Sequence, residues 1–307
     1  MKAPRVTLEQ WRTLQAVVDH GGFAQAAEAL HRSQSSVSYT VARMQEQLGV
    51  PILEIVGRKA VLTEAGAALL RRSRYLVKQA QQLEELAWNM DQGWEAEVQL
   101  VVDAAYPTQR LAHALEAFIP QSKGCRVQLR EEVLSGVEEL LHSGDADLAI
   151  SGMNIGGYLP QQLGSMEFVA VAHPRHPLHQ LKRTLTHNDL ESHLQVVIRD
   201  SGRRQPRNEG WLGAEQRWTV TNLNTAGKLV SQGLGFAWLP QHDINEELER
   251  GSLAVLPLAQ GSHRMAQLYL YANKDKPLGP ATRILADLII QHSHEAEQTP
   301  QSTDDKR

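Results

Sequence analysis

Residues 23–49 read FAQAAEALHRSQSSVSYTVARMQEQLG, and the organisation of the chain follows from them. Phe23, Ala26, Ala27 and Leu30 recur at i, i+3, i+4 and i+7, the apolar stripe of a short helix whose alanines let a second helix come close. His31-Arg32 makes a short turn, and Ser33 is a good N-cap for a helix over about 34–48. In that helix Val37, Val41, Met44 and Leu48 fall within a narrow arc at about 100° per residue, which predicts a buried seam. The opposite face carries Ser35, Ser38, Tyr39, Ala42 and Arg43, side chains that are small or hydrogen-bonding and almost free of acid. Two short helices with a tight turn, the second offering such a face, make a helix-turn-helix able to enter a major groove. On periodicity alone the alternative is a small helical bundle with a solvated polar face.

The flanks extend the pattern. Thr7-Leu8-Glu9-Gln10 is a capping box, followed by Leu8, Trp11, Leu14, Val17 and Val18 at helical spacing and by Gly21-Gly22, which can end the helix. Beyond Gly49, Pro51 to Val56 and Ala60 to Leu62 flank Gly57-Arg58-Lys59, a β-hairpin with a basic tip that can serve as a wing against the DNA backbone or minor groove. From Thr63, an N-cap, the chain stays helical without proline to about Asp91. Leu69, Leu76, Leu83 and Met90 repeat every seven residues, with Ser73, Ala80 and Ala87 four residues after the first three. A single helix about 40 Å long cannot bury that stripe alone, so dimerisation through it is expected. The alternative is a helix packed on its own domain.

The 307 residues suggest two domains, or one plus a smaller module. With 42% hydrophobic and 21% charged residues the composition is that of a globular protein rather than a disordered one. The net charge of −4 excludes a basic nucleic-acid coat, yet it is unevenly spread, +3 over residues 1–90 and −7 over the rest. A mildly basic head on an acidic body fits a DNA-facing N-terminus. One cysteine, Cys125, excludes an intrachain disulfide and any multi-cysteine metal site. Without an 18-residue apolar run or a signal-peptide stretch, a soluble cytoplasmic protein with no membrane partner is expected.

After residue 94 strands alternate with helices, the mark of a parallel sheet. Strands are predicted over 98–102, 125–131, 147–150, 168–172, 195–198, 218–220 and 267–271, and helices over 111–118, 137–142 and 225–232. Two passages of the chain between lobes make a hinge, and ligands of open α/β sheets bind beyond the strand carboxyl ends. That rule collects Asp103, Ala104, Tyr106 and Pro107 after the first strand, Ser135 after the second, and Ser151 and Gly152 after the third. The second lobe adds Arg199, Asp200, Ser201, Thr221 and Asn222. Hydroxyls, Asn and helix N-termini can hold an anion, and Arg199 can grip a carboxylate in bidentate fashion. Asp103 would repel an anionic ligand unless a cation or an Arg offsets it.

The ordered set Phe23, Ala26-Ala27, Leu30, Ser33-Gln34, Val37-Ser38, Leu48-Gly49-Val50-Pro51 and Leu62-Thr63-Glu64-Ala65-Gly66 closely resembles the LysR-type transcriptional regulators. Gly144-Asp145-Ala146-Asp147-Leu148-Ala149-Ile150 and Gly233-Leu234-Gly235-Phe236-Ala237-Trp238-Leu239-Pro240 resemble later signatures of the same family. The resemblance implies an α plus α/β fold: a winged helix-turn-helix over 1–63, a linker helix over 64–93, and a two-lobed effector domain resembling type 2 periplasmic binding proteins. Lobe I would take 94–166 and 267–293, lobe II 167–266, and 294–307 would be a disordered tail.

What the resemblance implies for partners is double-stranded promoter or operator DNA, a second copy of the chain within a dimer of dimers, and RNA polymerase as a further candidate. No cofactor is implied, only a small-molecule effector, a small organic acid or other polar metabolite. Gln34, Ser35 and Ser38 match family positions that reach bases or phosphates, and Arg58 and Lys59 match the basic wing. With the neighbouring Ser33, Ser36, Tyr39 and Arg43 they form the candidate DNA-binding set. Met44-Gln45 stands where Leu-Glu is common, Ile55 where Arg is common, and Tyr39 where a basic or polar residue is frequent. These departures are expected to change the operator or weaken a phosphate contact.

Three other features compete. His173, His176 and His179 are spaced like metal ligands, but Pro174 and Pro177 break the helix that would align them, and the segment matches a His-Pro loop of the family. Gly233-x-Gly235 lacks the third glycine of a dinucleotide fingerprint. Cys125 sits inside a predicted strand, where packing is expected rather than redox sensing. A solute-binding module whose N-terminal helices serve only assembly is the second functional reading. An enzyme is the third, and no nucleophile–base pair supports it.

Overall fold

The computed structural model describes residues 3–56 and 59–298, without the side chains of Lys59 and of residues 294–298. It divides into two compact units, Met1–Asp91 and Gln92–Arg307.

The first unit holds α1 (Leu8–Asp19), α2 (Phe23–Ala29), α3 (Gln34–Leu48), an antiparallel hairpin of β1 (Leu53–Val56) and β2 (Lys59–Leu62), and α4 (Glu64–Asp91). The capping box is formed: the Gln10 amide donates to Thr7 Oγ1 and Gln10 Oε1 accepts from the Thr7 amide. Leu14, Met44, Ile52 and Leu70 pack in one apolar cluster. Val17, Ala26, Ala27, Val37 and Val41 pack in a second, so the predicted seam of α3 is buried. Leu48, at the end of that seam, is only half-buried.

α4 has the predicted extent, with Thr63 Oγ1 accepting from the Gly66 amide at its start. Its heptad pattern divides differently from the expectation. Leu70, Ser73 and Val77 are buried, and Ser73 Oγ accepts from Gln15 Nε2 of α1, so Ser73 belongs to the face packed on the unit's own helices. Leu76, Leu83 and Met90 stay exposed.

The second unit contains β3 (Glu97–Asp103), α5 (Thr108–Phe118), β4 (Arg126–Glu132), α6 (Ser135–Ser143), β5 (Leu148–Ser151), β6 (Gln161–Ala172), α7 (Pro177–Gln180) and α8 (His187–Glu191). It continues with β7 (Gln195–Ile198), β8 (Arg217–Val220), α9 (Leu223–Ser231), β9 (Phe236–Pro240), α10 (Asn245–Glu249), β10 (Ala254–Val255), β11 (His263–Ala272) and α11 (Pro280–Gln298). The strands form one curled sheet in the order β4-β3-β5-β11-β6-β9-β7-β8, with β10 beside β6. β3 runs parallel to β4 and β5, and β7 parallel to β8.

β6 and β11 are longer than predicted and pair antiparallel from His263↔Val169 to Leu270↔Gln161, forming the double strap that joins the lobes. Lobe I packs Leu100, Leu148, Ile150 and Leu285 on one side of its sheet and Val101, Leu141 and Tyr271 on the other. Lobe II has separate clusters around Val171, Val196 and Leu239 and around Leu178, Phe236 and Leu256.

Two expectations need correction. Cys125 lies one residue before β4 rather than inside it. A disordered tail is expected after 293, but α11 continues to Gln298, because Glu, Ala and Gln are good helix formers. Residues 299–307 lie outside the described residues.

Candidate DNA-reading face and ligand cleft

The geometry of α3 comes from its caps and its seam. Ser33 Oγ accepts from the Ser36 amide at 3.2 Å, and Gly49 at φ +73° closes the other end. With Val37, Val41 and Met44 turned inward, Gln34, Ser35, Ser38, Tyr39 and Arg43 are left exposed on the outer face. Arg43 Nη1 donates to Tyr39 Oη at 3.5 Å, and Ser33 and Ser35 share a hydroxyl contact at 3.1 Å. Ser36 is half-buried, with its carbonyl accepting from Thr40 Oγ1. Arg58 and the side chain of Lys59 lie outside the described residues, so the wing is seen as its two strands only.

Two of the departures from the family pattern face inward and cannot alter an operator directly. Met44 is fully buried in the core, and Gln45 Oε1 accepts from the amides of Ile52 and Leu53 at 2.7 and 2.9 Å. Gln45 thus ties α3 to the hairpin, a role that needs an acceptor oxygen and so suits Gln as well as Glu. Ile55 and Tyr39 do face outward. On α4, Arg74 is paired with Asp19 of α1.

In the second unit an open cleft of about 1510 Å³ runs between the lobes. Asp103, Ala104, Gly152, Arg199, Asp200, Ser201 and Thr221 line it. Ser135 sits beside it, buried and bonded to Asp200. The remaining candidates point elsewhere. Tyr106 is buried in lobe I with its hydroxyl 2.8 Å from Ser293 Oγ, Pro107 is buried at the start of α5, and Ser151 Oγ accepts from the Met153 amide inside its loop. Asn222 caps α9 through the Thr225 amide. All four lie near strand ends as reasoned, but burial or capping turns their polar atoms away from the cleft.

Asp103 is buried, and loss of hydration pushes its carboxyl up to about 6. The Ala105, Gly152 and Leu134 amides partly offset that rise, and the nearby Asp200 adds to it. The Arg199 guanidinium is exposed and holds no ion pair among the described residues. Sequence reasoning missed a second group of lining residues, Gln195, Arg207, Trp211, Trp238 and Arg264. Most lie before strand ends or inside the loop after β7, so the strand-end rule passes over them. Gln195 Nε2 donates to the Trp211 carbonyl while its Oε1, fully buried, has no hydrogen-bond partner among the described residues. Arg264 sits 5.4 Å from the Phe168 ring centre, within reach of its π face.

The competing features have local roles. His176 Nδ1 accepts from the Leu178 amide as the cap of α7, and His173 Nδ1 accepts from the Arg175 amide. Burial, with the Glu95 and Glu97 carboxylates nearby, pushes the Cys125 thiol up to about 11 and away from thiolate chemistry. Among the described residues no helix is long and apolar enough to cross a membrane.

Comparison with known proteins bears on both units. Residues 8–67 match the family described as "Bacterial regulatory helix-turn-helix protein, lysR family", and residues 91–293 match the "LysR substrate binding domain". The HTH-type transcriptional regulator YeeY of Escherichia coli is 29% identical over 78% of this chain and 79% of its own length. The regulator YhaJ of the same organism is 28% identical over 83% and 87%. Among solved structures, full-length LysG from Corynebacterium glutamicum with its bound effector Arg has the same fold at a TM-score of 0.51 and 21% identity, over 94% of this chain and 98% of its own. With the two family regions in chain order and together spanning most of the sequence, the chain belongs to the LysR family of transcriptional regulators.

Proposed function

We propose that this LysR-type regulator binds specific duplex DNA through the outer face of α3 and is controlled by a small polar metabolite held between the lobes of its second unit. The observation that carries this reading is the division of α3 into a buried apolar seam and an exposed face of Gln34, Ser35, Ser38, Tyr39 and Arg43. Side chains of that kind can meet base edges and phosphates. Arg58 and Lys59 would add wing contacts to the backbone. The uncovered Leu76, Leu83 and Met90 of α4 are the surface on which a second copy would pack, placing two reading helices on two half-sites. A dimer of dimers that engages RNA polymerase in the cytoplasm completes the reading, as a regulator rather than an enzyme.

Effector control requires that the metabolite, a small organic acid or another polar compound, bind two arrangements of the protein unequally. LysG, with the same fold, carries an amino acid as its effector. The test is a footprint on the DNA flanking the protein's own gene, at low salt, together with a thermal-shift screen of metabolites. A protected region whose occupancy changes with a metabolite is expected. That metabolite, at a hundred times its Kd, should stabilise the protein by about 2.7 kcal/mol. No protection at low salt with any stabilising metabolite present would refute the reading.

A further inference from the structure

The N-terminus of α6 points into the inter-lobe region, where backbone amides and the helix dipole make a seat for an anion. That seat is already taken by the protein itself. Asp200, from the loop after β7 in lobe II, reaches across to lobe I and accepts from the Ser135 amide at 3.1 Å and from Ser135 Oγ at 2.7 Å. Its own loop closes round the same carboxylate, with the Gly202 amide at 2.8 Å and the Arg207 amide at 2.6 Å. Four donors converge on one buried carboxylate that has no ion-pair partner among the described residues.

The fit leaves no room for a second anion. A Cβ on Gly136 would stand 2.0 Å from Ser201 Oγ, and a Cβ on Gly202 would stand 2.0 Å from Ser135 Oγ. Neighbouring bonds hold the loop down: Ser201 Oγ accepts from the Val133 amide at 2.8 Å, Glu139 accepts from the Arg204 amide at 2.6 Å, and Arg207 pairs with Glu138 at 2.7 Å.

We propose that Asp200 is a resident anion and a specificity-determining residue: it fills the anion seat at α6 with the chain's own carboxylate, so an effector does not place an acid group there. This rests on the reading of the cleft as the effector site. The surfaces that remain select for other chemistry. Asp103 on the cleft lining accepts hydrogen bonds, so the ligand is one that brings N–H donors, and any acid group it carries falls to the lining arginines Arg199, Arg203, Arg217 and Arg264, which hold no ion pair among the described residues.

Formate is the probe, because Asp200→Ala keeps the β-carbon and removes only the carboxylate, which formate supplies. Thermal unfolding of the full-length protein and of Asp200→Ala is followed in sodium formate and in sodium chloride at equal ionic strength and neutral pH. Asp200→Ala is expected to unfold several degrees below the parent, and formate, unlike chloride, to raise its midpoint in a saturable way. The parent and Asp200→Asn, whose seats remain filled, should not respond, and Ser135→Ala added to Asp200→Ala should abolish the response. An equal formate response in parent and variant, or none in Asp200→Ala, would overturn the proposal. If Asp200→Ala does not fold, its refolding yield from urea in formate against chloride gives the same readout, and equal yields overturn it. An effector found with its carboxylate on Ser135 and Asp200 displaced would defeat this inference while upholding the cleft. A metabolite screen without any thermal shift would count against the cleft and would not alter the formate result.

Discussion

The outer face of α3 and the floor of the inter-lobe cleft are both polar, but they treat their polar groups in opposite ways. On α3, Gln34, Ser38 and Arg43 are held out to solvent by a seam that buries Val37, Val41 and Met44 behind them. In the cleft, Asp200 is bonded to Ser135 and Ser201 to Val133 across the two lobes, and the Arg207 amide of the same loop donates to Asp200. A surface meant for a rigid, wet and highly charged partner gains from leaving its donors free, since phosphates and base edges supply the acceptors. A site that must sort small molecules gains from filling its strongest donor set, because an unmade buried hydrogen bond is the main way to reject a wrong ligand.

Breaking the assembly that presents the reading face should have the largest effect. Leu83→Asp puts a charge into the exposed stripe of α4, away from the face that packs on α1. It should leave the monomer folded, shift sedimentation to the lighter species, and weaken DNA binding by roughly 10²-fold or more as the two heads lose their shared effective concentration. An unchanged oligomer would remove α4 from the dimer account.

The next effect concerns the cleft. Asp103 is pushed up to about 6, above its unfolded value, so the native state holds that proton more tightly. Its contribution to stability is therefore fully present below about pH 4 and is lost as the pH rises through 6. The difference between the parent and Asp103→Asn in urea unfolding should change by on the order of 3 kcal/mol across that window and stay flat above it. A flat difference throughout would show Asp103 to be ordinarily ionised.

The smallest effect sharpens the comparison on the α3 side. Ser33→Ala removes the cap of α3 and should cost about 1 kcal/mol, read as a lower midpoint of the first transition in thermal unfolding. An unchanged midpoint would mean that the Ser33 hydroxyl contributes nothing to the helix.

The same contrast explains what was legible in the sequence. The head could be read closely because each of its features is local: a capping box over four residues, a stripe at i, i+3, i+4 and i+7, and a hairpin between two short strands. The split of the α4 stripe was less visible. Leu76 and Ser73 are neighbours in the pattern, and only packing against Gln15 shows that Ser73 faces inward. In the second unit the strands and helices were legible by alternation, and the strand-end rule found Asp103, Arg199, Asp200 and Thr221 at the cleft. It also returned Tyr106 and Ser151, since a strand end says where the chain goes but not which way a side chain turns. The Asp200–Ser135 pair joins residues far apart in sequence on two different lobes, and no periodicity or spacing encodes such a meeting.

The central claim is that the free face of α3 reads DNA, and it is tested most directly by a binding titration of Ser38→Ala on the footprinted fragment, beside a nonspecific duplex of equal length and salt. Ser38 is exposed and its side chain holds no partner among the described residues, so its loss should leave the fold intact. The account predicts about a tenfold weaker affinity for the specific fragment, little change on the nonspecific one, and an unaltered thermal response to a cleft ligand. Equal affinities of parent and variant for the specific fragment would contradict it.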